Sequence, residues 1–177
     1  RRRSRSSFSV VLPPPASRTR FTGRRSSMTL PADAADSHWM RRCEALAAEA
    51  RSEGNTAVGS VLVLDGKPLA EAAEQTPRGP RPFAHAEFLV VERALQLTPR
   101  PDLHAATLYS TAEPCILCGF AVREAGIGRV VVAHPAGDIG SIRSRLPVLT
   151  ADWVARWGAP PVVVWMDVAV TPPRDAP

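Results

Sequence analysis

His85 and Glu87 stand two residues apart in AHAEFLVV, and Cys115 and Cys118 stand three apart in EPCILC, 30 residues downstream. Two cysteines at C-x-x-C spacing, where a strand gives way to a helix, have two common chemistries. One is a redox dithiol, because the field at a helix N-terminus lowers a thiol pKa. The other is half of a metal site, where the same field favours thiolate ligands. A dithiol needs no histidine, whereas a metal site needs at least one more donor. His85, at the start of another helix, provides it. Three protein donors leave the fourth tetrahedral position open, as a catalytic zinc requires and a structural zinc does not. Glu87 then has a task, because a zinc-activated water must give up protons that a neighbouring carboxylate can carry. The field of a helix N-terminus alone favours such a carboxylate by less than about 1 kcal/mol. That accounts for Glu87 singly but not for the four residues together.

These residues need elements to hold them. Residues 36–52 read as a helix capped by Asp36 or Ser37, with Trp39, Cys43, Leu46 and Ala47 on one face and Gly54 beyond its end. Cys43 on that stripe reads as a packed core thiol. Residues 57–74 read as a β-hairpin around Asp65-Gly66. A Pro- and Arg-rich loop leads to the helix that begins near His85. There follow a strand over 106–111, a helix from Cys115 to about Ala125, and a strand over 128–134. The last third offers a short helix over 150–157 and a strand within PVVVWMDVAV, residues 161–170. Trp153 and Trp157 read as core packing. His38, His104 and His134 lie at loops or element ends without ligand spacing. Strands separated by helices imply a sheet covered on both faces, and the initial hairpin makes it mixed.

The chain has 177 residues, 45% hydrophobic and 22% charged, which suits one domain with a real core. Its net charge of +5 is unevenly placed. Residues 1–27 hold eight arginines and no acid, leaving 14 basic against 17 acidic residues in the remainder. The body is therefore mildly acidic, and a nucleic-acid partner is not expected from it. The tail over 1–27 reads as a disordered or leader segment ahead of Met28, with an organellar transit peptide as the alternative to a cytoplasmic protein. The expected domain covers 28–170, followed by a short tail, 171–177. Three cysteines make a poor disulfide framework, and no apolar run has the length of a membrane span.

The H-x-E and P-C-x-x-C segments together form the signature of zinc deaminases. Over roughly residues 38–135 the chain resembles the cytidine deaminase-like superfamily. The resemblance is to its CMP/dCMP-type branch, which includes tRNA adenosine deaminases, guanine deaminases and fungal-type cytosine deaminases. It implies an α/β fold, a three-layer αβα sandwich with a mixed five-stranded sheet, and a homodimer. It further implies Zn2+ held by His85, Cys115 and Cys118, Glu87 as proton shuttle, Pro114 setting the turn, and the Ala86 N–H facing a substrate ring. Two positions depart from the pattern. Relatives commonly carry Asn eleven residues before the zinc histidine, where this chain has Glu74, an acceptor only. Many carry a small Thr where this chain has Phe83, an aromatic wall for a ring. The expected activity is hydrolytic deamination of a small nucleobase, nucleoside or related heterocycle. The alternatives are a tRNA-specific adenosine deaminase and a catalytically silent zinc module, and Glu87 speaks against the module.

Overall fold

The computed structural model describes residues 33–78, 81–97 and 102–166. Both tails of the sequence reading lie outside them. Helix α1 (Ala34–Ser52) precedes the hairpin of β1 (Gly59–Leu64) and β2 (Lys67–Ala73). Asp65 and Gly66, with φ of 52° and 70°, make its two-residue turn, as the Asp-Gly pair predicts. Then come α2 (Ala86–Leu97), β3 (Thr107–Ala112), α3 (Ile116–Ala125), β4 (Arg129–His134) and β5 (Val162–Trp165). The strands form one sheet in the order β2-β1-β3-β4-β5. β1 runs antiparallel to β2 and β3, while β3, β4 and β5 are parallel. The expected mixed five-stranded sheet is what forms.

The period of two along each strand divides the core in two. On one face Val61, Tyr109, Val131 and Val164 meet Met40, Cys43 and Leu46 of α1. On the other, Leu62, Leu108, Val130 and Val132 meet Leu89, Val90 and Ala94 of α2 and Val122 of α3. This is the three-layer sandwich. Cys43 is fully buried, and burial pushes its thiol above the ordinary range. Gly59 is required where β1 enters beneath α1, because a Cβ there would lie 2.1 Å from the Cys43 carbonyl oxygen.

Three expectations need correction. The cap of α1 is Asp33, which accepts from the Asp36 N–H at 2.8 Å, while Asp36 returns the bond to the Asp33 N–H at 3.1 Å. Asp36 is free for more because it sits at the third helical position and points into the core. It accepts from Arg129 Nη1 and Nη2 at 2.6 and 2.8 Å and from the Tyr109 hydroxyl at 3.0 Å. Nor is 150–157 a helix: two 3₁₀ turns, Val148–Thr150 and Ala155–Trp157, stand there. Arg123 of α3 holds this segment open by donating to the carbonyls of Ala151, Gly158 and Ala159. Trp153 is 75% exposed and Trp157 packs edge-on against Phe120, so neither belongs to the core. No helix among the described residues is long and apolar enough to cross a membrane.

Burial alone would raise the Asp36 carboxyl, but the bonds from Arg129, Asp33 and Tyr109 outweigh it and hold the group below its ordinary value. A depressed carboxyl contributes stability above the unfolded pKa of about 3.9 and loses it as pH falls through the lower folded value. Asp36→Asn strands the Arg129 guanidinium and should cost about 3 kcal/mol at pH 7. In urea unfolding, the gap between wild type and variant should shrink as pH is taken below about 4.

Candidate zinc centre

Helices α2 and α3 begin at the same edge of the sheet, where β2 and β3 end. His85 precedes α2, and its carbonyl accepts the Leu89 N–H at 2.9 Å, closing the first turn. Cys115 caps α3 with extended backbone angles, and its carbonyl accepts the Gly119 N–H at 2.7 Å. Cys118 lies one turn in, fully buried. His85 Nδ1 is 3.4 Å from Cys115 Sγ and 3.5 Å from Cys118 Sγ, and the two sulfurs are 3.6 Å apart. A tetrahedral centre with Zn–N near 2.05 Å and Zn–S near 2.3 Å requires N···S of about 3.6 Å and S···S of about 3.8 Å. The donor set fits Zn2+ within about 0.2 Å on every edge. The thiols share a proton. Their mutual hydrogen bond brings Cys115 down to about 5, with burial opposing and His85 assisting, while the same bond and burial push Cys118 up. A bound dication displaces that proton.

Glu87 is buried on the first turn of α2, and its Oε1 accepts from the Ser110 hydroxyl at 2.8 Å. Burial pushes its carboxyl up to about 7, against the pull of its own backbone N–H and of Ser110, and nearby Glu74 and Cys115 add to the rise. A carboxyl of that kind exchanges its proton readily near neutral pH.

Glu74 is also buried, just beyond β2. Its Oε2 accepts the Ala86 N–H at 2.7 Å, and its Oε1 accepts the Thr76 hydroxyl. The ungapped count back from His85 therefore leads to a carboxylate in the wall of the site. The Ala86 N–H, expected to face a substrate ring, is given to Glu74. Phe83 is half exposed and meets Phe88 edge-on, with centroids 6.4 Å apart. It stands on the loop leading into α2.

Three supporting residues escaped the reading by sequence. Ser110 and Thr76 each hold a carboxylate, and Glu113 fixes the loop after β4. Glu113 is 2% exposed and accepts from the N–H groups of Ala136, Ile142 and Arg143 at 3.0, 2.7 and 2.9 Å. The bonded loop passes beside the ligand turn, with Ser141 donating twice to the Pro114 carbonyl, from N at 2.9 Å and Oγ at 2.6 Å. Gly140 is required there, since a Cβ would fall 2.4 Å from the Glu113 carboxylate. The available signal was a serine facing inward from an apolar strand and an acid directly before Pro-Cys.

Residues 33–134 match the family model described as the cytidine and deoxycytidylate deaminase zinc-binding region. The chain belongs to this family. It is 35% identical over 96 residues to a tRNA-specific adenosine deaminase of Bacillus subtilis strain 168, covering 54% of this chain and 60% of that one. A tRNA-specific adenosine deaminase of Agrobacterium fabrum is 37% identical over 99 residues, 54% of this chain and 65% of its own length. The chain thus spans less than two thirds of these curated relatives. Among solved structures, one from work on A-to-I editing by tRNA:A34 deaminases superimposes with a TM-score of 0.67 at 28% identity. It covers 75% of this chain and 100% of its own. A guanine deaminase of B. subtilis gives 0.53 at 29% identity, with coverages of 56% and 64%. As a deaminase-family member, the chain carries the family's zinc-binding region over the cradle described above.

Metal analysis should find about one zinc per chain. Cys118→Ala should lose most of it, and the wild type should regain it after chelation. A wild type purified under reducing conditions with no zinc and a Cys115–Cys118 disulfide would restore the dithiol reading.

Proposed function

We propose that this chain is a zinc-dependent hydrolytic deaminase that removes the exocyclic amine of a small amino-bearing heterocycle and releases ammonia. The observation that carries this reading is Glu87: a buried carboxylate beside three metal donors, with one oxygen held by Ser110 and the other without a side-chain partner among the described residues. His85, Cys115 and Cys118 would hold the metal and leave one side open. Zinc, when bound, supplies the Lewis acidity that activates water for attack on the amine-bearing carbon. Ser110 fixes the carboxylate through Oε1, so proton traffic falls to Oε2. From there Glu87 would take one proton of the attacking water and deliver it to the neighbouring ring nitrogen, then take the second from the hydroxyl of the hydrated carbon and give it to the departing amine. A group raised to about 7 serves both directions.

A second reading, adenosine within tRNA, is favoured by the names of the curated relatives. Against it stands the charge balance beyond residue 27, with 14 basic and 17 acidic residues, since binding to phosphates draws on clustered Lys and Arg. An ammonia-release screen over guanine, cytosine, adenine, their nucleosides, aminotriazines and a tRNA transcript separates the two readings. The homodimer draws support from Leu95, Leu117 and Phe120, exposed on the adjoining helices α2 and α3. Sedimentation equilibrium tests it.

Glu87→Gln keeps the size and removes the proton carrier. Zinc content should stay at wild-type level while kcat falls by about 10²–10⁴-fold. The same substitution makes a stability prediction for the metal-free protein. A carboxyl raised in the folded state contributes stability below the unfolded pKa of about 4.3 and loses it as pH rises through the folded value. Metal-free Glu87→Gln should therefore melt higher than metal-free wild type at pH 8, with the advantage gone at pH 4. Undiminished ammonia release by the variant would remove Glu87 from the chemistry.

A further inference from the structure

Three acids crowd one edge of the sheet, and Glu74 is the one whose role the reaction above leaves open. It is 4% exposed, and among the described residues its two oxygens have one partner each, the Ala86 N–H and the Thr76 hydroxyl. An ionised carboxylate offers about four lone-pair sites, so two remain. No arginine, lysine or histidine among the described residues lies within ion-pair distance of it. Ala86 sits between His85 and Glu87, so the bond at Ala86 fixes Glu74 against the turn that carries both a metal donor and the proton carrier.

The charge of the loaded site sharpens the point. Zn2+ is balanced by two thiolates, and His85 adds none. The metal thus leaves nothing over for Glu74. A buried anion with two neutral donors and no cation is undercompensated, and it rewards whatever brings N–H groups or positive charge. A carbonyl oxygen or bare ring nitrogen brought to the same place would meet acceptor against acceptor.

We infer that Glu74 is a specificity-determining residue that selects amino-rich rings, meaning heterocycles that present a further exocyclic amine beside the scissile amidine. The inference rests on the deaminase reading of the same site, and it names the substrate class. Rings with a guanidine-like pattern, diaminopyrimidines, diaminopurines and aminotriazines, belong to that class. Cytosine, with a carbonyl at the equivalent edge, and adenine, with a bare carbon, do not.

Two matched pairs test it: 2,4-diaminopyrimidine against cytosine, and 2,6-diaminopurine against adenine. Each pair keeps the scissile amidine and changes the group at C2; in the pyrimidine pair the N1 proton is lost with the carbonyl. Calorimetric titration of zinc-loaded Glu87→Gln protein reads affinity without turnover. The diamino member of each pair should bind about ten- to a hundredfold more tightly, the scale of a hydrogen bond to a charged group. Adding Glu74→Gln, with zinc content unchanged, should bring each pair within about threefold. Glu74→Asp, which keeps the charge, should retain the preference in direction.

Equal affinities within both pairs would overturn the inference, and so would no binding of any of the four rings. A preference that survives Glu74→Gln would assign it to another group and leave Glu74 as a cap on α2. The parent protein's preference needs no Glu74 variant, so a poorly folding variant does not spoil the test. If the diamino rings bind selectively but wild type releases no ammonia from any ring, the deaminase reading fails and the selectivity of Glu74 stands.

Discussion

Three donors from two separate helix starts are held within 3.6 Å of one another, and the surrounding structure serves that requirement. Neither helix start is self-sufficient. Helix α2 begins with a histidine, and its first N–H is satisfied from outside, by Glu74 at the end of β2. Helix α3 begins with a cysteine whose side chain makes no capping bond. Both starts are therefore positioned by tertiary contacts. Helix α2 is held by Glu74 and by the Glu87–Ser110 bond to β3. Helix α3 is held by Ser141 on the Pro114 carbonyl and by the packing of Gly119 under Ser141, where a Cβ would come within 2.4 Å. The sheet beneath carries the register. Gly59 donates to Thr111 Oγ1 at 3.2 Å, which ties the start of β1 to the end of β3 at the site's own edge.

Much of this was legible in the sequence because it rests on local pattern. The two faces of the core follow from alternation in the strands and from the apolar stripes of the helices, and the hairpin follows from Asp65-Gly66. His85, Glu87, Cys115 and Cys118 stood out in the sequence because their types are rare together at such spacing, and the structure brings His85, Cys115 and Cys118 into one cluster. What the sequence could not display were polar groups that act at long range. Asp36 looks like a helix cap, and its bonds to Tyr109 and Arg129 span 73 and 93 residues. Arg123 looks like an ordinary cation on α3, yet it organises the segment over 151–159 through three carbonyls. That segment carries a helix-like apolar pattern, but the Ala151 carbonyl, which a helix would bond to the Ala155 N–H, is taken by the Arg123 side chain. Tertiary bonding overrode local preference there.

The acidic pair Glu74 and Glu87 also shows how far spacing reasoning extends. Counting eleven residues back from His85 leads to Glu74, a buried carboxylate bonded to the Ala86 N–H on the turn that carries His85 and Glu87. What that position does was not in the count. The resemblance implied an Ala86 N–H facing the ligand, and the structure gives that N–H to Glu74. Where an amide would offer an N–H as well as an oxygen, the carboxylate offers acceptors only.

The three buried carboxylates of this edge are provided for unequally, and the inequality follows their roles. Glu113 receives three backbone N–H bonds, enough to support a full charge away from water. A group so satisfied has little left for a ligand, and it fixes a loop. Glu74 receives one N–H and one hydroxyl, which supports the charge in part and leaves acceptor sites open. Glu87 receives a side-chain bond from Ser110, and burial pushes its carboxyl up to about 7. Removing donors from a buried carboxylate costs stability, so natural sequences do it where the vacant valence is used. On that physical ground the gradient from Glu113 through Glu74 to Glu87 parallels the roles proposed for them, from scaffold, through recognition, to proton transfer. The sheet edge holds all three because β2, β3 and their following turns end there together.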